Sequence, residues 1–305
     1  MAVTANAIAQ NITSTSTNST STSTNSTVND RAKDPTSIRL VERLYLGTIT
    51  LAALFVSYLG FLAPKRMDES FTWAALPPLH ARFVASLYLF GGVYLGACTL
   101  ARRRAANGPV YGGITAFTGL LLLVTLLNLK AFDFDLAPVW VWTVSYIVYP
   151  IVAVGLAVIV WRRGGFADLE TNSDRPIPRW ARMALQGLAA TCAIVGLLLL
   201  MDRERTVRAW PWKVSNGLAQ FYAAPILAIA FCAWRYSTRT RWTSLRAFAP
   251  ALLALGGATL ASSVRHRAVF GATDVSVVVW YLAFGLVAAF GLVSTIAAWR
   301  PQSSI

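Results

Sequence analysis

Eight long apolar runs constrain this chain more than any other feature. They are Leu44–Leu62, Phe83–Leu100, Val110–Leu129, Pro138–Trp161, Met183–Met201, Leu218–Trp234, Ala247–Val264 and Val275–Trp299. A helix needs about 20 apolar residues to cross the hydrocarbon core of a bilayer, within a range of roughly 17 to 25. All eight runs fit, so the expected fold is an all-α integral membrane protein with eight transmembrane helices. The sixth run is the weakest, being short and holding Pro225; neighbouring helices can satisfy the carbonyl that proline frees, and Pro150 in the fourth run poses the same demand.

Charge is scarce, at 13% of the chain, and is concentrated between the runs. The net charge of +14 does not point to nucleic acid, because the arginines sit in short clusters between apolar segments and not as a stripe on a soluble fold. Those clusters orient the chain. Arg31, Lys33, Arg39 and Arg43 precede the first run, Arg102–Arg104 follow the second, Arg162, Arg163, Arg175, Arg179 and Arg182 lie between the fourth and fifth, Arg235, Arg239, Arg241 and Arg246 between the sixth and seventh, and Arg300 follows the eighth. Basic residues in short loops stay cytoplasmic. Both termini are therefore expected inside, and a bacterial cytoplasmic membrane is the expected location. Arg203, Arg205, Arg208 and Lys213 run against the bias in one outer loop.

Residues 1–37 are rich in Ser, Thr and Asn and bury too little apolar surface to fold, so a disordered cytoplasmic tail is expected. No secretory leader is expected there, since the first positive charge is Arg31 and no apolar segment follows Met1. The sequons at Asn11, Asn18 and Asn25 are what a Ser/Thr/Asn tract produces by chance. A cytoplasmic linker is expected at 164–179, and a short tail at 301–305.

An offset of 138 residues brings Trp142 onto Trp280, Trp161 onto Trp299, Arg162 onto Arg300, Phe132 onto Phe270, Ala81 onto Ala219 and Phe83 onto Phe221. Two exact tryptophan matches exceed the roughly 0.2 that random placement gives. Aromatic belts recur wherever helices meet the interface, but here the loops align as well as the helix ends. The expected body is two parallel four-helix repeats, 38–163 and 180–300, facing the same way about an axis along the membrane normal. Gly92 and Gly96, Gly187 and Gly196, and Gly256 with Gly257 are expected to allow close helix packing.

The runs hold no Asp, Glu, Lys or His in their middles, which argues against a proton-coupled pump or a carboxylate relay. Gln186 and Gln220 are the strongest polar groups within runs, with a structural role favoured over ligand contact. At the outer boundary stand His80, Arg82, Asp133, Asp135 and His266. Arg82 could snorkel or bind an anion. A His80/His266 pair could ligate haem or metal, and Asp133 with Asp135 could join a divalent site, but a solvated rim is the favoured reading and no metal or cofactor is expected. Cys98, Cys192 and Cys232 show no metal or redox spacing and read as packing residues. Phosphate-binding glycine loops, nucleophile elbows, metalloprotease motifs and dinucleotide fingerprints are all missing.

The leading functional expectation is a transport-like protein handling a small molecule or lipid, with its site between the halves near the outer leaflet. The alternatives are a non-catalytic partner or assembly factor of a membrane complex, and a membrane enzyme working at the outer rim. The expected partners are lipid, a small ligand or another membrane protein.

Overall fold

A computed structural model describes residues 40–70, 77–101, 108–162, 175–270 and 275–300. The expected tails at 1–37 and 301–305, and most of the linker at 164–179, lie outside these residues. The elements are α1 Leu40–Leu62, α2 Pro64–Ser70, α3 Pro78–Leu100, α4 Val110–Leu127, α5 Ala137–Arg162, α6 Arg179–Met201, α7 Arg203–Ala209, α8 Asn216–Ser237, α9 Phe248–Arg265 and α10 Val275–Trp299. Three-residue 3-10 turns, Leu129–Ala131 and Arg267–Val269, follow α4 and α9, and a four-residue one, Trp242–Leu245, precedes α9.

Eight of these helices are long and apolar enough to cross a membrane. With a rise of 1.5 Å per residue, 23 residues reach about 34 Å, which covers a hydrocarbon core of about 30 Å. The outward faces are themselves apolar: Leu51, Phe55, Val141, Ile151, Leu282 and Leu286 are all more than half exposed. Such a surface is stable against lipid and not against water. The chain is a multi-pass α-helical membrane protein.

Helix starts follow local chemistry. Pro77 and Pro178 immediately precede α3 and α6, and Pro78 occupies the first turn of α3, where a missing N–H costs nothing. Ser215 caps α8 by accepting from the Leu218 N–H at 3.3 Å. Three helices begin four or five residues before their apolar runs, at Leu40, Pro78 and Arg179. First turns at an interface can carry polar groups: Glu42 on α1, His80 and Arg82 on α3, Arg179 and Arg182 on α6.

The sixth span is longer than its apolar run, and Pro225 sits inside it. It is also the most buried span, with 61% of its apolar window inside the protein against 11% for α10. The packing explains this. α1 lies on α3, α6 on α8, α4 on α5 and α9 on α10, while α3 also meets α9 and α4 meets α8. The helices α3, α4, α8 and α9 thus form the centre, and α1, α5, α6 and α10 face the bilayer.

Glycines permit the closest approaches. A Cβ on Gly92 would lie 2.6 Å from Leu54 Cδ2 on α1, and one on Gly256 would lie 2.6 Å from the Ala288 backbone nitrogen on α10. Gly96 and Gly196 also face neighbours, whereas Gly187 and Gly257 face open space and pack against nothing.

Spacings of 138 residues recur in the packing. α4 and α9 have equal lengths and bounds 138 apart, as do the two three-residue turns after them. Trp142 Nε1–H donates to Thr125 Oγ1 at 3.0 Å, and Trp280 Nε1–H donates to Ser263 Oγ at 3.0 Å.

Candidate functional site

The polar residues singled out at the outer boundary divide into local pairs. On α3, His80 is buried, with Nδ1 3.1 Å from the Tyr222 hydroxyl of α8 and its ring edge-on to Trp212. It does not meet His266. Instead His266, which caps the C-terminus of α9, contacts Arg82 Nη1 through Nε2. A guanidinium has only donors, so Nε2 accepts and the ring is neutral with its proton on Nδ1. The His266 ring is held below its ordinary range by burial first, then by the Arg82 and Arg265 guanidiniums.

Gln220 is buried on α8 and accepts from Asn128 Nδ2 at 2.9 Å, while its own amide reaches the Leu200 carbonyl at 3.5 Å. Adding 138 carries Arg82 to Gln220 and Asn128 to His266. The two contacts therefore join corresponding positions, one charged and one neutral. Each ties the start of one helix to the end of a helix it packs beside.

Asp133 and Asp135 stand in an exposed turn, where the Asp135 N–H donates to Asp133 Oδ1 at 3.0 Å. Gln186 lies on the exposed face of α6 and makes no hydrogen bond with the described residues. No group of three or more His, Cys, Asp or Glu among the described residues is placed to hold a metal ion.

Next along α3, Phe83 sits at the centre of a cluster of rings. Phe83 touches Trp210, Trp212, Tyr222, Trp280 and Phe284 at centroid separations of 5.0 to 6.2 Å, in edge-to-face geometry. This cluster is solid packing of the kind aromatic pairs favour.

The open space lies elsewhere. A cavity of about 820 Å³ is bounded by α1, α3, α4 and α5, with Pro225, Ala228 and Cys232 of α8 closing its far wall. None of the seven boundary and glutamine residues discussed above lines it. The cavity thus lies mainly among the first four spans, with one wall from the second group. Its lining includes Phe55, Tyr58 and Val141, which are 60%, 56% and 68% exposed on the outer face of the helices. The cavity is therefore open sideways, toward the hydrocarbon, between α1 and α5. Arg66 of α2 stands at one end of it.

Most of the lining is aliphatic or aromatic, but one helix face supplies hydroxyls. Trp142, Ser145, Tyr146 and Tyr149 recur on α5 at the i, i+3, i+4, i+7 spacing that defines one side of a helix. From α3, the Tyr88 hydroxyl meets that of Tyr146 at 2.6 Å. Phe117 stands edge-on to both rings, and Trp142 lies 4.4 Å from Tyr146. Deeper in, the Tyr94 and Tyr236 hydroxyls are 3.0 Å apart, and Tyr94 and Cys232 reach the cavity wall. These tyrosines were not among the expected site residues. Their signal was in the sequence, as hydroxyl-bearing side chains at helical spacing inside an apolar run, but tyrosine scores as apolar in a hydropathy reading.

Compared with protein families, curated proteins and solved structures, the chain shows no match.

Proposed function

We propose that this protein binds and handles an apolar small molecule or lipid drawn from the bilayer. The observation that carries the reading is the 820 Å³ cavity with a side opening onto lipid. Ligand pockets occupy about 300–1,000 Å³ and are mostly apolar with a few placed polar groups, which fits this lining. A molecule dissolved in the membrane enters such a cavity without crossing water.

The body that holds it is, in our reading, a tandem duplication of two parallel four-helix units with both termini cytoplasmic, in a bacterial inner membrane. The recurring 138-residue spacing of helix bounds, the matched Trp142–Thr125 and Trp280–Ser263 hydrogen bonds, and the corresponding Arg82–His266 and Asn128–Gln220 contacts support the duplication. The basic clusters support the orientation.

The test is native mass spectrometry of the full chain extracted in mild detergent. The wild type should carry a co-purified small molecule. The Ala52→Trp/Val141→Trp variant, which narrows the mouth at two exposed lining positions, should lose it. An identical adduct on both proteins, or on neither, overturns the reading.

One observation favours a second reading, a partner in a membrane complex. Gln186 lies about 6 Å inside Arg182 along α6, with its amide turned outward beside Gly187, which faces open space. Polar amides and small residues join membrane helices to one another. A stoichiometric protein that co-purifies with the wild type and is released by Gln186→Leu would support this second reading.

A further inference from the structure

We infer that the cavity takes a neutral, hydrocarbon-soluble molecule carrying an oxygen acceptor, which the Tyr88–Tyr146 hydroxyl pair holds within the hydrocarbon core of the membrane. The inference rests on the proposed binding function and names the class of ligand.

The first argument is a count of protons. Two phenolic hydroxyls bring two O–H groups and only one is used between them, whichever oxygen donates. The second O–H is left over. Tyr146 is 7% exposed, and a buried donor left unsatisfied is costly. The nearby indole cannot take it, because Trp142 Nε1–H is a donor only and already points at Thr125. Both tyrosines line the cavity, so the spare O–H belongs to the cavity wall. It calls for an acceptor on whatever enters.

Depth sets the second condition. Tyr146 is nine residues from the start of α5 and Tyr88 ten from that of α3. Tyr88 lies five residues into the apolar run that starts at Phe83 and Tyr146 eight into the one that starts at Pro138, which at 1.5 Å per residue places both about 7–12 Å inside the hydrocarbon core. A charged headgroup is costly to bring there, and no charged side chain lines the cavity at that depth, since Arg66 is on α2 at one end. A phospholipid head therefore does not fit beside the tyrosine pair, where a carbonyl or hydroxyl on an apolar body does. The aromatic walls, Tyr88, Phe117, Trp142 and Tyr146, suit a flat ring.

The second group of four spans supplies an internal contrast. At the positions 138 residues on, Tyr88, Ser145, Tyr146 and Tyr149 become Ile226, Ala283, Phe284 and Val287, while Trp142 remains tryptophan as Trp280. At these positions the hydroxyls are confined to the first group of spans, whose helices line the cavity. In the second group Phe284 is packed against Phe83 and Trp280. The hydroxyl face is thus a property of the open cavity and not of the helix pattern.

The experiment titrates the detergent-solubilised full chain with three probes that share one decyl tail: decyl-benzoquinone, decylbenzene and decyl phosphate. Adducts are counted by native mass spectrometry. Decyl-benzoquinone should fill one site and bind about 3- to 10-fold more tightly than decylbenzene, the range a single net hydrogen bond gives. The Tyr88→Phe/Tyr146→Phe variant, which keeps both rings, should bring the two neutral probes to equal affinity while leaving decylbenzene unchanged. Equal binding of both by the wild type, a preference that survives the double substitution, or tighter binding of decyl phosphate would each overturn the inference. If instead no probe binds, or all bind equally to the mouth-narrowed Ala52→Trp/Val141→Trp variant, the binding function itself falls.

Discussion

Removing the acceptors of the two matched tryptophan hydrogen bonds tests both the packing and the duplication. In each pair the hydroxyl gives its own proton to the preceding turn, Thr125 to Leu121 at 2.8 Å and Ser263 to Thr259 at 2.8 Å, and accepts the indole N–H at 3.0 Å. Thr125→Val and Ser263→Ala therefore leave one buried indole donor unpaired, at a cost of about 1–3 kcal/mol each. Trp142→Phe and Trp280→Phe remove the donor but also shrink a buried ring, so their single costs mix two effects. A double-mutant cycle cancels the ring term. Hydrogen bonds between membrane-embedded side chains average about 0.6 kcal/mol in such cycles and reach about 1.7. The expected coupling is in that range for Trp142/Thr125 and for Trp280/Ser263, with the two values within about 0.5 kcal/mol of each other. Unfolding of the purified variants in mixed micelles of increasing SDS fraction supplies the four free energies of each cycle. Zero coupling in both pairs would refute the energetic role of these bonds. Strong coupling in one and none in the other would refute the equivalence of the two groups of four.

Further outcomes follow from particular residues. Gly256→Leu should destabilise by about 1–3 kcal/mol or more, because the added carbons meet the backbone of α10 and not a movable side chain. Gly257→Ala, facing open space, should be neutral or stabilise by up to about 1 kcal/mol, and the same SDS assay separates the two. For His266, the folded ring holds its proton less tightly than the unfolded one. Below the unfolded value of about 6.5 the unfolded chain binds the extra proton, so stability should fall as pH drops through that value and be complete above it. His266→Asn should flatten this dependence in melts taken between pH 5 and 8. Cys98 and Cys232 are 0% and 2% exposed, so a water-soluble maleimide should label neither in the folded protein and both after denaturation, as read by mass spectrometry.

The eight spans were legible because apolar length is a direct requirement of the bilayer. Their ends were not, since Glu42, His80 and Arg82 lower a hydropathy window while sitting comfortably on first turns near an interface. The boundary residues were legible as polar groups, but not as pairs. Nothing local says that Arg82 meets His266 across 184 positions, or that Asn128 meets Gln220 across 92. The cavity was hidden for a different reason. It depends on side chains of six elements failing to fill a shared space, and the tyrosines that mark it were counted with the apolar residues. Gln186 shows the reverse limit, a polar side chain that spacing assigns to a span without saying which way it turns.

The crossed packing of the centre also governs how the chain can be made. Besides α1, α3 packs against α9, which ends about 165 residues after α3 is complete. At synthesis rates of roughly 5–20 residues per second, α3 waits on the order of ten to thirty seconds for its neighbour. Throughout that interval the faces that later become interior, including Tyr94 and Cys98, must be sheltered by lipid, by α1 or by the insertion machinery. The first four spans made alone should therefore be a short-lived product, and co-expression of the last four from a separate message should rescue them.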